Sequence, residues 1–69
     1  MAKAYKFDDF EPRRGSEVSA FTSLSALKDF VRSQGGSSKY WEISGTIVKD
    51  EGGPDGITIR VESARRIHI

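Results

Sequence analysis

The carboxyl-terminal part of the chain constrains the fold most, because its apolar residues recur with the two-residue period of a β-strand. This period runs through residues 40–49 and returns in residues 57–69, and both runs are rich in β-branched and aromatic side chains. Residues 50–56 read Asp-Glu-Gly-Gly-Pro-Asp-Gly, a dense turn signal. Together the three segments predict a long β-hairpin. The residues on its predicted apolar face are Trp41, Ile43, Gly45, Ile47, Ile57, Ile59, Val61, Ile67 and Ile69.

The two faces of this hairpin are predicted more firmly than its individual pairs, because a register slip of two residues keeps every side chain on its face. A trial register starts from the pair Lys49–Ile57. It places Arg65 on the apolar face opposite Trp41, where the arginine stem can lie over the indole ring. A bulge near Ser63 is the alternative explanation. The register pairs Ile47 with Ile59 and Gly45 with Val61 on the apolar face, and Thr46 with Arg60, Ser44 with Glu62 and Tyr40 with Arg66 on the other face.

The amino-terminal half predicts one or two short strands followed by a helix. Weak alternation indicates a strand over Ala4–Phe10, and residues 11–16 form a loop that contains proline and glycine. Residues Glu17–Phe21 fit either a second strand or the start of the helix. Ser23 is a good helix cap, because its side-chain oxygen can accept from the free amides of the first turn. The segment Gly35–Gly36 ends the helix. The apolar stripe of the helix consists of Leu24, Ala26, Leu27, Phe30 and Val31.

A single helix covers one face of a small sheet, and nothing else in the chain is left to cover the other face. We therefore predict an α+β fold: a small two-layer sandwich, with one helix on one face of an antiparallel sheet of three to four strands, in β(β)αββ order. Residues 1–69 form a single domain. A domain of this size buries only about 60% of the surface of its unfolded chain, which favours association with a partner.

Composition excludes several classes of protein. The chain has no cysteine, so it has no disulfide framework and no thiolate zinc site. No apolar stretch approaches the roughly 18 residues of a membrane span, and the first residues do not resemble a secretory leader. We therefore expect a cytoplasmic protein that does not contact membranes. The formal net charge of +1 disfavours a dedicated nucleic-acid binder, since that class usually carries a larger basic excess.

Catalytic and metal-binding patterns are weak, and we expect no enzyme, no cofactor and no metal. The one histidine, His68, is next to the last residue, and no nucleophile motif accompanies it. Acidic residues cluster at 8–11 and 50–55, but the second cluster lacks the alternating oxygens and the closing glutamate of a calcium-binding EF-hand. The segment 35–39, Gly-Gly-Ser-Ser-Lys, resembles a phosphate-binding loop in composition only, because it follows a helix instead of preceding one.

The leading functional hypothesis is a small non-enzymatic protein-binding module of adaptor or inhibitor type. In size and lack of motifs the chain is similar to phage-type inhibitors such as anti-CRISPR proteins, an analogy at the level of the class only. We expect it to bind a larger protein or protein complex through its open sheet face and its acidic hairpin loop. The residues predicted to form this surface are Tyr40, Arg60, Glu62, Arg66, Asp50, Glu51 and Asp55.

Two other modes of binding follow from the same sheet. Exposed aromatic rings can stack unpaired bases while arginines hold phosphates, so the alternative function is single-stranded nucleic-acid binding. Glutamates on the same face and the acidic loop argue against this alternative. The last strand ends in Ile67–Ile69, and as an edge strand it can pair with a second copy to form a homodimer. The residues predicted to bind nucleic acid in the alternative are Tyr40, Arg60, Arg65 and Arg66.

Overall fold

A computed structural model describes residues 1–34, 39–53 and 56–68. These residues form one helix and a four-stranded antiparallel sheet, so the predicted α+β class and the β(β)αββ order, with the second strand present, are confirmed. The elements in chain order are β1 (Ala2–Phe7), β2 (Glu17–Ala20), α1 (Leu24–Gln34), β3 (Tyr40–Asp50) and β4 (Ile57–Ile67). The predicted helix end at 35–36 lies outside the described residues.

The segment before the helix is a strand rather than an early helical turn. β2 ends at Ala20, and Phe21 then makes an isolated bridge to Tyr5 of β1. Ser23 caps the helix as predicted, since its Oγ accepts a hydrogen bond from the amide of Ala26 at 3.2 Å. The cap separates the strand from the helix and fixes where the helix begins.

The first strand begins two residues earlier and ends three residues earlier than the predicted strand Ala4–Phe10. β1 ends at Phe7 rather than Phe10, because the carboxylate of Asp8 accepts a hydrogen bond from the amide of Phe10 at 3.1 Å. An aspartate that bonds the amide two residues further on forms a turn, and this turn ends the strand. Phe10 is 80% exposed in the loop that follows.

The β3–β4 hairpin lies in the middle of the sheet, whose strand order is β1-β3-β4-β2. The two edge strands approach each other at one point, where Tyr5 and Phe21 exchange backbone hydrogen bonds of 2.9 and 2.7 Å. The sheet is therefore curled into a half-barrel. The loop between β1 and β2 continues along β4, because the backbone of Val61 bonds both Gly15 and Ser16.

The apolar face of the sheet forms the inside of this half-barrel. Small residues, Ala4 and Ala20, are buried on the edge strands, where the curled walls come close to each other. Trp41 connects the core to the loop after β1, because its indole Nε1 donates a hydrogen bond to the carbonyl oxygen of Asp8 at 2.9 Å. The buried residues that form the core cluster are Ala4, Ala20, Trp41, Ile43, Ile57, Ile59 and Val61.

Two register shifts interrupt the hairpin, one between Ser44 and Gly45 and one between Ile47 and Lys49. The sequence prediction holds between these shifts, and it is wrong by one residue outside them. The confirmed pairs are Gly45–Val61, Thr46–Arg60 and Ile47–Ile59. The corrected pairs are Lys49 with Thr58, Ser44 with Ser63, Trp41 with Arg66, and Tyr40 with Ile67.

The first shift is the bulge anticipated in this part of β4. Glu62 is the extra residue, because Val61 pairs with Gly45 while Ser63 pairs with Ser44. Gly45 is buried, and a Cβ added to it would overlap a backbone carbonyl of β4. Only glycine fits this close approach, and beyond it the alternation of β4 is reversed relative to β3.

The helix lies on one face of the sheet, as predicted, and the aromatic residues that it contacts are not part of the core cluster. The centroid of the Phe30 ring lies 5.6 Å from that of Phe7 on β1 and 5.2 Å from that of Phe21. Phe7 points away from the core, since strand side chains alternate and Ala4 points inward. Leu27, on the same helical stripe as Phe30, is fully buried. The curled sheet closes its apolar face on itself, so the helix packs on the outside of β1.

Candidate protein-binding surface

The side chains of β3 and β4 that point away from the core form a surface that we call the outer face. Its centre is Glu42, whose side chain is only 12% exposed. Arg65 Nε donates to Glu42 Oε1 at 2.9 Å, and Lys3 Nζ, from β1, donates to the same oxygen at 3.2 Å. This ion-pair cluster therefore joins three neighbouring strands. The outer face consists of Tyr40, Glu42, Ser44, Thr46, Arg60, Ser63, Arg65 and Ile67.

The two hydrogen bonds fix the charge of Glu42. The bond from Arg65, and after it the bond from Lys3, lowers the pKa of Glu42 below its ordinary value of 4.5. The same bond raises the pKa of Arg65. Both side chains are therefore charged at neutral pH, and the guanidinium that was predicted to hold a phosphate already has a carboxylate beside it.

Arg60 is paired in the same way further along the outer face. Its guanidinium lies 2.9 Å from the carboxylate of Glu17, and the two residues are directly opposite each other on β4 and β2. Both side chains are about half exposed, so the pair is screened by solvent and stabilises the sheet only weakly. Two of the three arginines predicted to bind nucleic acid thus carry a carboxylate partner.

Arg66 does not lie on the outer face, which corrects the sequence prediction. The bulge reverses the alternation of β4, so Arg66 pairs with Trp41 on the core side, and its guanidinium carbon lies 6.0 Å from the indole ring centroid. Arg65, which was predicted there, occupies the outer face instead. Tyr40 does lie on the outer face, where it is half-buried and lines a shallow cavity with Val31 of α1.

The acidic residues Asp50 and Glu51 at the hairpin tip are exposed, but each carboxylate contacts another residue of the hairpin. Asp50 accepts a hydrogen bond from the amide of Gly52 at 2.9 Å, and Glu51 lies 2.9 Å from Lys49. Asp55 lies outside the described residues. The predicted binding residues therefore do not form one continuous site: they are divided among the outer face, the core side and the tip.

Sequence reasoning missed an unpaired stretch of β3, which we call the distal edge and define as Thr46–Asp50. β1 pairs with β3 only as far as Gly45, so the distal edge has β4 on one side and no described strand on the other. Ile47 is 40% exposed and Val48 is 38% exposed. The adjacent pair of β-branched residues was the available signal, because a second apolar residue breaks the alternation of a half-buried strand.

The last strand is an edge strand over half of its length. β2 pairs with β4 at residues 57–60, whereas residues 62–67 have β3 on one side and no described strand on the other. The expected free edge is therefore present in β4, although the strand as a whole lies inside the sheet. Arginines at 65 and 66 lie on this free part, and such charges oppose unwanted strand pairing. The homodimer remains a prediction.

A cavity at the junction of β1 and β2 was also missed. Its volume is about 260 Å³, and its walls come from the end of β1, the end of β2 and one helical residue. No sequence pattern connects these residues, because the curl of the sheet alone brings them together. The lining residues are Lys6, Phe7, Ser19, Ala20, Phe21 and Phe30.

The described residues hold no group of three or more histidine, cysteine, aspartate or glutamate side chains that could bind a metal ion. His68 is exposed at the end of the described chain. Within the same residues, no helix has the length and apolar character needed to cross a membrane. Comparison with protein-family models, with curated proteins and with solved structures gives no match. Arguments about function therefore depend on the surface itself.

Proposed function

We propose that the protein is a non-enzymatic protein-binding module of adaptor or inhibitor type, which works in the cytoplasm and binds a larger protein through the distal edge. The observation that carries this proposal is the exposure of Ile47 and Val48 on a strand edge that no described strand covers. Unpaired backbone groups on such an edge can form a ladder with a strand of another protein. The absence of cysteine suits a reducing compartment.

The two exposed apolar residues lie at the second register shift of the hairpin. Ile47 pairs with Ile59 and Lys49 pairs with Thr58, so Val48 is the extra residue of a bulge in the distal edge. A partner strand paired along this edge would cover both side chains. Main-chain hydrogen bonds would supply part of the affinity, and the apolar contacts would supply the preference for certain partner residues.

The charges around the distal edge indicate the character of the partner. Asp50 and Glu51 lie at its end, and only Glu51 has a lysine beside it. Arg60, directly opposite Thr46, forms the rim on the outer face and is balanced by its own carboxylate partner. The acidic end favours a partner with a basic group next to its apolar contact, and it repels the phosphates of a nucleic acid.

The predicted binding residues contribute unequally to this proposal. Arg60 and the exposed Glu62 lie close to the distal edge and belong to its rim, and Asp50 and Glu51 lie at its end. Tyr40 and Arg66 lie at the opposite end of the hairpin. We therefore expect substitutions of Tyr40 and Arg66 to affect partner binding less than substitutions in the distal edge.

The test compares partners captured by the wild-type protein and by the double variant Ile47→Thr, Val48→Thr. Threonine keeps the β-branched shape that suits a strand but removes apolar surface. The matched control is Ser63→Thr, which adds a threonine to the outer face outside the distal edge. Captured proteins are quantified by mass spectrometry from an extract of the native source, with and without nuclease.

We expect the double variant to lose at least one specific protein by about tenfold or more, and the control and the nuclease-treated sample to retain it. Equal capture by wild type and double variant would remove the proposal. Loss of all partners on nuclease treatment would favour the nucleic-acid alternative.

A further inference from the structure

Within the described residues, the two edges of the half-barrel are hydrogen-bonded to each other at one point. There Tyr5 of β1 and Phe21, the residue after β2, exchange backbone hydrogen bonds. An antiparallel ladder continued from this bridge would next form a hydrogen-bonded pair between Phe7 and Ser19. The described residues do not form this pair: the strand partner of Phe7 is Tyr40 on β3, and that of Ser19 is Thr58 on β4. We call the resulting gap the seam.

The backbone of Phe7 points into the seam. Along a strand, the N–H and C=O groups of successive residues point to opposite sides. Asp8 donates its amide to the carbonyl of Lys39, on the side of β3, at 2.8 Å, whereas Tyr5 bonds across the seam. Phe7 therefore shares the direction of Tyr5, and neither its donor nor its acceptor has a partner among the described residues.

The backbone of Ser19 points into the seam from the other side. The carbonyl of Ser16 accepts from Val61 of β4 at 2.8 Å, whereas Phe21 bonds across the seam to β1. Ser19 is separated from Phe21 by one residue and therefore shares its direction. The seam thus presents two facing sets of strand donors and acceptors that no described strand satisfies.

A cavity of about 260 Å³ opens along the seam, and its lining residues include Phe7, Phe21 and Phe30. Sites for drug-sized ligands have volumes of about 300–1,000 Å³, so this cavity is smaller than a typical small-molecule site. Its size and its aromatic walls suit one large apolar side chain. Interfaces between proteins commonly depend on such an anchor residue in a pocket.

Lys6 supplies the one cation among the residues that line the cavity. It is half-buried, and none of the ion pairs within the described residues involves it. A lysine among the residues that line an apolar cavity favours a ligand that carries a carboxylate next to its apolar group.

We propose that the seam binds an extended peptide segment of a partner protein. A large apolar side chain of the peptide fills the cavity, an adjacent acidic residue faces Lys6, and the peptide backbone forms hydrogen bonds with the free backbone groups of Phe7 and Ser19. This inference rests on the proposed protein-binding function, but it concerns a second surface and does not require the distal edge.

The test begins with a displayed library of random linear peptides, selected on the full-length protein and counter-selected on Phe30→Ala. Phe30 lines the cavity from the helix and belongs to neither β1 nor β2, so its truncation removes one apolar wall without changing a residue of the two strands. We expect enriched peptides to carry a large apolar residue next to aspartate or glutamate. When the best of them is titrated into isotope-labelled protein, the amide resonances of Phe7 and Ser19 should shift.

Four variants then separate the seam from other surfaces. We expect Phe30→Ala to weaken the enriched peptide by about tenfold or more, and Lys6→Gln to weaken it a few-fold in a salt-dependent manner. Phe10→Ala is the matched control, because Phe10 is exposed and lies outside the cavity. Phe10→Ala should bind the enriched peptide with the affinity of the wild type. The double variant Ile47→Thr, Val48→Thr should also bind it with that affinity.

Several results would overturn the inference. The first is a selection that enriches no peptide on the wild-type protein relative to Phe30→Ala. The second is a set of resonance shifts that does not include Phe7 and Ser19. The third is peptide binding that Lys6→Gln leaves unchanged. The Lys6 result decides the matter even where Phe30→Ala fails to fold, because Lys6 lies outside the core cluster. If the Ile47, Val48 double variant does not bind the peptide, the peptide binds at the distal edge. That result would overturn the inference about the seam but would agree with the proposed function.

Discussion

Replacement of Gly45 by alanine tests the bulged hairpin that orders the outer face. Gly45 is buried opposite Val61, and a methyl group at this position would overlap the carbonyl oxygen of Arg60. It would also lie 3.2 Å from the amide nitrogen of Glu62. The obstacle is the backbone of a paired strand, so a side-chain rotation cannot relieve it.

The cost of this substitution follows from the packing. An extra methyl group in a well-packed core costs about 1–3 kcal/mol, and because the obstacle here is the backbone of β4, the expected cost is near 3 kcal/mol. The stability of a 69-residue domain is about 3–10 kcal/mol. The variant should therefore lose about 30% or more of its unfolding free energy.

Urea unfolding measures this loss, with the fluorescence of Trp41, the one tryptophan of the chain, as the reporter. Ser44→Ala is the control, because Ser44 is the neighbouring residue on the outer face and its truncation creates no overlap. We expect the control to change the unfolding free energy by less than about 0.5 kcal/mol. A Gly45→Ala variant as stable as this control would refute the close approach of the two strands.

Three further substitutions test other parts of the fold. Glu42→Gln should reduce the loss of stability in acid. The pKa of Glu42 is lowered in the folded state, so the wild type loses the stabilising contribution of this carboxylate as the pH falls below 4.5. Urea unfolding at about pH 7 and about pH 3 should therefore show a smaller difference in unfolding free energy for the variant than for the wild type. An identical acid dependence would contradict the role of the ion-pair cluster. Ser23→Ala should cost about 1 kcal/mol through loss of the helix cap, and Ser25→Ala, a control within the helix, should cost less by the same assay. Ile59→Ala should cost about 3 kcal/mol because Ile59 is fully buried, and a change below about 1 kcal/mol would mean that this position is not in the core.

Local rules predicted most of the secondary structure. Alternation located β3 and β4, and a serine before an apolar helical stripe located the start of α1. These signals are strong because they depend on neighbours a few residues away. The end of β1 was wrong for a similarly local reason, since the turn made by Asp8 outweighs the weak alternation through Phe10.

The arrangement of charges was harder to predict, because one bulge decides it. Glu62 inserts an extra residue in β4, and this exchanges the faces of Arg65 and Arg66. A glycine inside an alternating strand signals a bulge or a close backbone approach, but it does not specify which partner residue is extra. The ion-pair cluster at Glu42 and the contact between Arg66 and Trp41 both follow from that single choice.

The position of the helix and the two missed surfaces depend on the curl of the sheet. The alternation that locates the strands does not specify how far the sheet bends, so it does not reveal that Tyr5 meets Phe21. Once the edges meet, the apolar face closes, the helix packs outside β1, and the seam appears. The distal edge likewise depends on where β1 ends relative to Gly45.

The central claim, that the distal edge contacts a partner protein, is tested most directly by a photoreactive amino acid placed at position 48. The same group at position 63, on the outer face, is the control. We predict that position 48 crosslinks a specific protein in an extract of the native source, that excess wild-type protein competes with it, and that position 63 crosslinks it far more weakly. Equal crosslinking from both positions, or crosslinks to nucleic acid alone, would contradict the claim.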